Sequence, residues 1–376
     1  MKLLLTCCFA VSVPLFGCSG GSESGAARRQ SPAEMPAAMQ SLDLPSLFDA
    51  DQRLVESYAF EMTAIAAPGA NIDANGLIGD NRRHGRMISP RFQLGSGAAV
   101  RVGLHQPNLI MVQSGFRAVE AGLAAVAENG EVVSTLPPNA PRGTVLRPGD
   151  RASGAAFFLA DACTGLLALA ASDRASDVAD LSRRTAAHAA VRRATGWLAS
   201  HRSDLMSIDR RAPNRLLYDA LAFHSCGALV GDGAAQVIAS EFVAEALAQI
   251  RPDGVFVEQG GSDTTYQAVS VRLSLDLLLA GYAGPDRAQL NLAWQNGANW
   301  LGSRIMADGR IDSTGNTRTC SGGESFLGRE KKVWPPSVFA ALAYAGQLAD
   351  DADLAAAAVR LSAWAGANPR TDPCFP

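Results

Sequence analysis

Between residues 264 and 281 apolar side chains occupy two faces of a helical repeat. Tyr266, Val269, Leu273 and Leu277 line one face; Val271, Leu275 and Leu278 line another. A helix that is apolar on both faces belongs in a core. The next segment, 286–306, carries a single stripe of Leu290, Trp294, Gly297 with Ala298, Leu301 and Ile305. Gln289, Asn291, Gln295, Asn296 and Asn299 lie elsewhere on it, which predicts a half-exposed helix. The two types alternate along the chain. Helices are expected near 51–66, 105–128, 153–172, 177–202, 214–230, 234–250, 264–281, 286–306, 334–348 and 352–366. Those at 153–172, 214–230 and 334–348 share the two-faced, buried pattern. Residues 67–103 are rich in Gly and Arg with little periodicity. They read as a long loop with a small hairpin around 91–103.

Loop lengths alternate as well. Turns after buried helices are short, as in "GDGA" at 231–234 and "GPDR" at 284–287. Loops before buried helices are long: 137–152, 203–214, 251–263 and 307–334. The last two share an Asp-Gly start, and Trp197 and Trp300 precede their loops in a similar way. This is the pattern of a degenerate repeat of about fifty residues or more. The fold class expected is all-α, an incomplete (α/α)5-6 toroid of helical hairpins over residues 46–376. A stacked α-solenoid is the structural alternative. In a toroid the inner helices run one way, so their N-termini and the long loops gather on one face. Free N–H groups there favour anions.

Composition supports close packing: hydrophobic residues make up 48% and aromatics only 6%, with Ala and Leu dominant. The formal net charge of −3 argues against a general nucleic-acid binder. The first residues, "MKLLLTCCFAVSVPLFGC", have one Lys and a short apolar run, an export signal over 1–17. "LFGC" resembles the lipobox of bacterial lipoproteins, which implies an acylated (palmitate) Cys18 and a lipid bilayer as partner. Residues 18–45 are Ser-, Gly-, Ala- and Pro-rich and read as a flexible tether. Ser19 is not an Asp-type inner-membrane retention residue. The expected location is therefore the cell envelope, at the outer membrane or periplasmic face rather than the inner membrane. Polar residues interrupt every later apolar stretch, so no transmembrane helix is expected. An ordinary secretory signal with a chance cysteine is the plainer reading.

Once Cys7, Cys8 and Cys18 are set aside, Cys163, Cys226, Cys320 and Cys374 remain, with three possible pairings. Cys163–Cys226 joins two predicted core helices, and Cys320–Cys374 ties down the tail. Four buried thiols are the alternative. The spacing fits no zinc motif, and no HExxH, Gly-x-Ser-x-Gly or EF-hand pattern occurs. Neither a cofactor nor a metal is expected.

The long loops are basic within an acidic chain: Arg142, Arg147, Arg151, Arg210, Arg211, Arg215, Arg318, Arg329, Lys331 and Lys332. Ordinary solvated charge explains such loops. A cleft for an acidic polymer does so too, because the planar guanidinium binds carboxylates with two hydrogen bonds. Here "DGVFVEQGGSDTTYQ" resembles an element of α/α-toroid polysaccharide lyases of the alginate, chondroitin and heparinase types. In that group a "DG-x-[FL]" loop runs into a helix whose early tyrosine is catalytic, and Tyr266 stands at that place. "APNRLLYDALAFHSC" is similar to the preceding inner helix, which supplies an Asn that neutralises the substrate carboxylate. It offers Asn214, Arg215, Tyr218 and His224. Leu216 stands where alginate lyases carry a histidine, and His224 lies two turns deeper.

The resemblance implies β-elimination on a uronic-acid glycan. Asn214, Arg215 or Gln267 would neutralise the carboxylate. Tyr266 would move the proton, with its pKa lowered by nearby Arg. Glu258, Asp263, Gln267, Tyr218, Arg211, Asn316 and Arg318 are candidate substrate contacts. Each has a plainer reading: Tyr266 and Tyr218 as packing residues, Asp263 and Asn214 as helix caps, His224 as a core histidine. Glu258, alone in a loop poor in acids, is suited to orienting an Arg or a sugar hydroxyl. A glycoside hydrolase using two of Glu258, Asp263, Asp312 and Glu324 is a second function, and a non-catalytic glycan-binding lipoprotein a third.

Overall fold

The computed structural model describes residues 44–59, 61–62, 72–106, 109–136, 140, 143–320, 323–326, 329–369 and 372–374. The export signal, Cys18, most of the tether and Arg142 lie outside them. Fourteen α-helices are present among the described residues. They are α1 (Leu47–Ser57), α2 (Gly79–Arg83), α3 (Ser96–Leu104), α4 (Leu109–Leu123), α5 (Pro148–Ala171), α6 (Ala175–Val178) and α7 (Leu181–Ser200). After these come α8 (Arg202–Asp209), α9 (Pro213–Val230), α10 (Gly233–Leu247), α11 (Thr264–Leu279), α12 (Arg287–Ser303), α13 (Pro335–Leu348) and α14 (Ala352–Ala367). A two-residue ladder, Ser325–Phe326 with Arg329–Glu330, is set in the loop before α13.

Local sequence fixes the helix starts. Asp180, Asp232, Asp263 and Asp351 accept hydrogen bonds from first-turn N–H groups of α7, α10, α11 and α14. Pro213 and Pro335 occupy first-turn positions of α9 and α13, where a missing N–H costs nothing. Two expected loops contain helices. The supposed hairpin at 91–103 is instead a 3-10 turn, Pro90–Gln93, followed by α3, and α8 occupies much of 203–214. The pattern of α3 is hidden because Gly97 and Gly103 replace apolar side chains at its contacts. A Cβ on Gly97 would sit 1.7 Å from the Asp161 carbonyl oxygen of α5. The Asp161 carboxylate in turn accepts hydrogen bonds from the N–H groups of Gly95, Gly97 and Ala98, capping α3 from a neighbouring helix.

The helices form two layers. In the inner layer α3, α5, α9, α11 and α13 contact one another in that order, and each is buried along most of its length. In the outer layer α4, α7, α10, α12 and α14 follow the same order. By length and composition α5 could cross a membrane, but 78% of its most apolar window is buried, the mark of a core helix. Disulfides join α5 to α9 through Cys163–Cys226 and the loop before α13 to the chain's last described residue through Cys320–Cys374. Each contributes about 4 kcal/mol in the chain-entropy model.

The internal repeat is visible in three turns. After α4, α10 and α12 the chain makes the isolated bridges Val126↔Val132, Ile250↔Phe256 and Ile305↔Ile311. Each bridge encloses an Asn-Gly or Asp-Gly turn with the glycine at φ 87°, 83° and 87°. Each glycine presses on the next outer helix: a Cβ would lie 2.3 Å from Arg193 O, 2.4 Å from Asn296 Cβ and 2.2 Å from Arg360 O. Only glycine satisfies both demands.

Helix α1 touches α3, α5, α11 and α13. Its contacts fall on their C-terminal parts: Phe48 against His105, and Ser57 against Gln347. At its centre the buried Asp51 receives Arg101 Nε at 2.7 Å and Nη2 at 2.8 Å. Arg101 Nη2 also donates to Asp276 Oδ1 at 3.0 Å, and Tyr344 donates to Asp51. Arg272 donates to Asp276 and to the Tyr344 hydroxyl at 3.3 Å each and lies over the Tyr344 ring. Burial alone would raise the Asp276 pKa, but Arg101 and Arg272 more than offset it and hold the carboxyl below its usual range.

Candidate functional site

The site lies where the N-terminal ends of α9 and α11 meet the loops at 251–263 and 312–334. Gln267 shapes the first loop. Its Nε2 donates to Gly254 O at 3.0 Å, and its Oε1 accepts from Phe256 N at 2.9 Å. Val255 and Phe256 are thereby held in the core, and Glu258 is delivered to the start of α9. There Glu258 Oε1 accepts from Asn214 N at 3.1 Å, while Oε2 accepts from Arg318 Nη1 at 2.6 Å. Neither side chain of this ion pair is exposed. Burial pushes the Glu258 carboxyl up to about 7, against the pull of Arg318 and the Asn214 N–H.

Asp263 binds the second loop to the helix. Its Oδ1 accepts from Thr265 N and Tyr266 N at 3.1 Å each. Its Oδ2 accepts from Arg318 N at 3.0 Å, Thr319 N at 2.7 Å and Thr319 Oγ1 at 3.0 Å. Asn316 adds a brace, accepting from Thr264 N and Oγ1 at 3.1 and 2.8 Å. With its backbone fixed this way, Arg318 lays its guanidinium 3.6 Å above the Tyr266 ring. It also donates through Nε to Glu324 Oε1 at 2.9 Å, and its Nη1 lies 3.5 Å from Asn214 Oδ1.

Tyr266 is 4% exposed. Lys331 Nζ donates to its hydroxyl at 3.0 Å and is paired with Glu324. The expected fall in the tyrosine's pKa is not found. Burial pushes it up, Arg318 pulls it down by less, and Glu324 adds to the rise. Lys331 moves the other way: burial lowers it to about 8, against the attraction of Glu324. The readily deprotonated partner of the pair is the lysine.

A second group adjoins this one. Arg215, 15% exposed, donates to the buried Asp209 at 3.0 Å. Asp219, one turn further along α9, is fully buried, and neither carboxylate oxygen has a partner. Burial and the neighbouring Asp209 push its pKa well above the usual range. Tyr218 is half-buried and stacks on Phe157 with centroids 4.0 Å apart; Arg91 covers that ring, also at 4.0 Å. The field of Arg91 reaches Tyr218 and Tyr266, and that of Arg215 reaches Lys331.

The structure thus brings Tyr266, Arg318, Asn214 and Glu258 into one contiguous set, with Arg215 and Tyr218 beside it. Asp263, Gln267 and Asn316 hold the loops, their polar atoms engaged by the protein itself. Arg211 is exposed on the turn between α8 and α9. His224 is a core histidine whose Nε2 lies 3.0 Å from Ala280 O. Lys331 was visible to sequence reasoning only as one basic loop residue among ten. Arg91 gave no signal, lying in a stretch without periodicity. A shallow depression of about 510 Å3 between α8 and α10, lined by Met206, Arg210 and Phe242 among others, contains none of these groups.

Comparison with protein-family models, with curated proteins and with solved structures found no match to this chain.

Proposed function

We propose that this chain is a lipid-anchored envelope protein that cleaves an acidic, uronic-acid glycan by β-elimination at Tyr266, on an incomplete α/α toroid. The observation that carries the reading is the Lys331–Tyr266 hydrogen bond beneath Arg318, set where inner-layer helices begin. Closure into a toroid is supported by α1, which contacts both the first inner helix, α3, and the last, α13. An open solenoid keeps its two ends apart. The anchor rests on the "LFGC" motif and the tether behind it.

Elimination removes the proton next to the uronate carboxylate and expels the sugar oxygen linked at C4. Neutral Lys331 takes the hydroxyl proton of Tyr266 as the tyrosine oxygen takes the carbon-bound proton. The same pair returns a proton to the departing oxygen, so the enzyme ends as it began. The Lys331 side chain is 13% exposed and is the member of the pair nearer to solvent. A hydrolase would need two free carboxyl groups flanking the bond. Glu258 and Glu324 are both held by Arg318, Asp263 is a helix cap, and Asp312 pairs with Arg304 at 3.0 Å.

The test is product chemistry. Protein incubated with a panel of polyuronates should generate conjugated double bonds absorbing in the near ultraviolet. New reducing ends without that absorbance would indicate a hydrolase, and retention without cleavage a binding protein. The pH profile adds a second expectation. The lysine is pulled down from its ordinary value, so its neutral form grows as pH rises through about 8, and kcat/KM should rise with it. Lys331→Arg, which stays charged, should flatten the profile and abolish turnover. A rise in activity through pH 8 in that variant would remove Lys331 from the proton path.

A further inference from the structure

Every basic side chain of the site but one has an acidic partner. Arg215 is paired with Asp209, Arg318 with Glu258 and Glu324, and Lys331 with Glu324. Arg91 has none. Its Nε and Nη2 are buried without a hydrogen-bond partner, and Nη1, also unpartnered, is the nitrogen left at the solvent side. The guanidinium is not loose: the Phe157 ring lies 4.0 Å below it, and Tyr218 backs Phe157 at 4.0 Å and 22°. Arg215 Nε, close enough for its charge to be felt at Arg91, is likewise buried and unpartnered.

A largely buried cation without a counter-ion is costly, and an anion that completes it removes much of that cost. The acids nearby do not do so. Asp209 is paired with Arg215, and burial together with Asp209 raises the Asp219 pKa, against the pull of Arg215 and Arg91; no hydrogen bond joins Asp219 to Arg91. Burial, with Arg215 alongside, lowers the Arg91 pKa to about 10, and Asp209 offsets only part of that fall.

We propose that Arg91, held over the Phe157–Tyr218 stack with Arg215 nearby, is a subsite for one carboxylate group of the ligand. It is separate from the Tyr266–Lys331 pair that handles the proton. Nη1, the nitrogen at the solvent side, is placed to donate to a carboxylate oxygen, a charge-assisted hydrogen bond. The inference rests on the reading of the chain as an acidic-glycan protein. It adds that recognition depends on an acidic group anchored by a residue outside both motifs that suggested that reading.

The experiment measures binding of uronic-acid oligosaccharides to the full chain by calorimetry, in the Tyr266→Phe background so that the ligand survives. Arg91→Met, which keeps the contact with Phe157, should weaken binding at least tenfold and lower the salt dependence. Arg91→Lys should recover part of the loss. The Arg91-containing parent should bind carboxyl-reduced oligosaccharides at least tenfold more weakly than the acidic ones, a measurement that needs no folded Arg91 variant. Equal affinity for acidic and carboxyl-reduced ligands, or unchanged affinity in Arg91→Met, would overturn the subsite while leaving the proposed reaction standing. Tighter binding of sulfated than of carboxylated oligosaccharides would overturn the carboxylate assignment. Failure of the parent to bind any acidic oligosaccharide would overturn both.

Discussion

Arg318→Leu is expected to destabilise the protein by about 3–5 kcal/mol, a large part of a typical total of 5–15 kcal/mol. Among the described residues the arginine is the cation that meets Glu258, and both are fully buried. Removing it strands a carboxylate in the interior, with the Asn214 N–H as the remaining donor to its side chain among the described residues. The loss should depend on pH in a set direction. Burial raises the Glu258 pKa to about 7 even with Arg318 present, so its ionised form is disfavoured in the folded state. A raised folded pKa means stability is fully present below the unfolded value and declines as pH climbs through the folded one. Without Arg318 the carboxyl shifts further up and stays protonated longer. The defect should therefore be smaller at pH 5 than at pH 8. Urea denaturation at the two values measures it, and an equal loss at both would show that Glu258 is not the group left uncompensated.

Arg101→Met should cost about the same, roughly 3–5 kcal/mol, at the opposite end of the inner layer. Arg101 is 4% exposed and joins Asp51 of α1 to Asp276 of α11. Methionine fills much of the volume but leaves Asp51 without its cation. Arg272 still faces Asp276, which limits the damage there. Asp51→Asn is the natural companion. The two changes act on one network, so the double variant should lose clearly less than the sum of the singles. Additive losses would mean that α1 is held by its apolar side, Leu47, Leu54 and Val55, and not by charge.

Much of the architecture was legible because inner and outer helices carry different hydrophobic patterns. Tyr266, Val271, Leu275 and Leu278 cannot all be buried unless the helix is covered all round, and α11 is. What escaped was the part built on glycine. Helix α3 packs through Gly97 and Gly103, residues that leave no periodic signal, so an inner-layer helix looked like loop. The turn at Asn129-Gly130 repeats those at Asp253-Gly254 and Asp308-Gly309, yet asparagine in place of aspartate hid the third copy. At the site, the isolation of Glu258 in its loop suited it to orienting either an arginine or a sugar hydroxyl. The choice of Arg318 could not be read from it, since sixty residues separate the two. The direction of the Tyr266 shift was also out of reach. It depends on how deeply the hydroxyl is buried and on Glu324 standing behind Lys331, and neither follows from spacing.

The account turns on a proton passing through one aromatic hydroxyl. The most direct measurement is the growth of near-ultraviolet absorbance from a polyuronate, wild type against Tyr266→Phe, with ligand binding followed in parallel. The phenyl ring keeps its place under Arg318, and the lost hydrogen bond costs the fold only about 1 kcal/mol. The account predicts absorbance from the wild type, a rate lower by roughly 10²–10⁴-fold in the variant, and undiminished binding. Equal rates from the two proteins would contradict it.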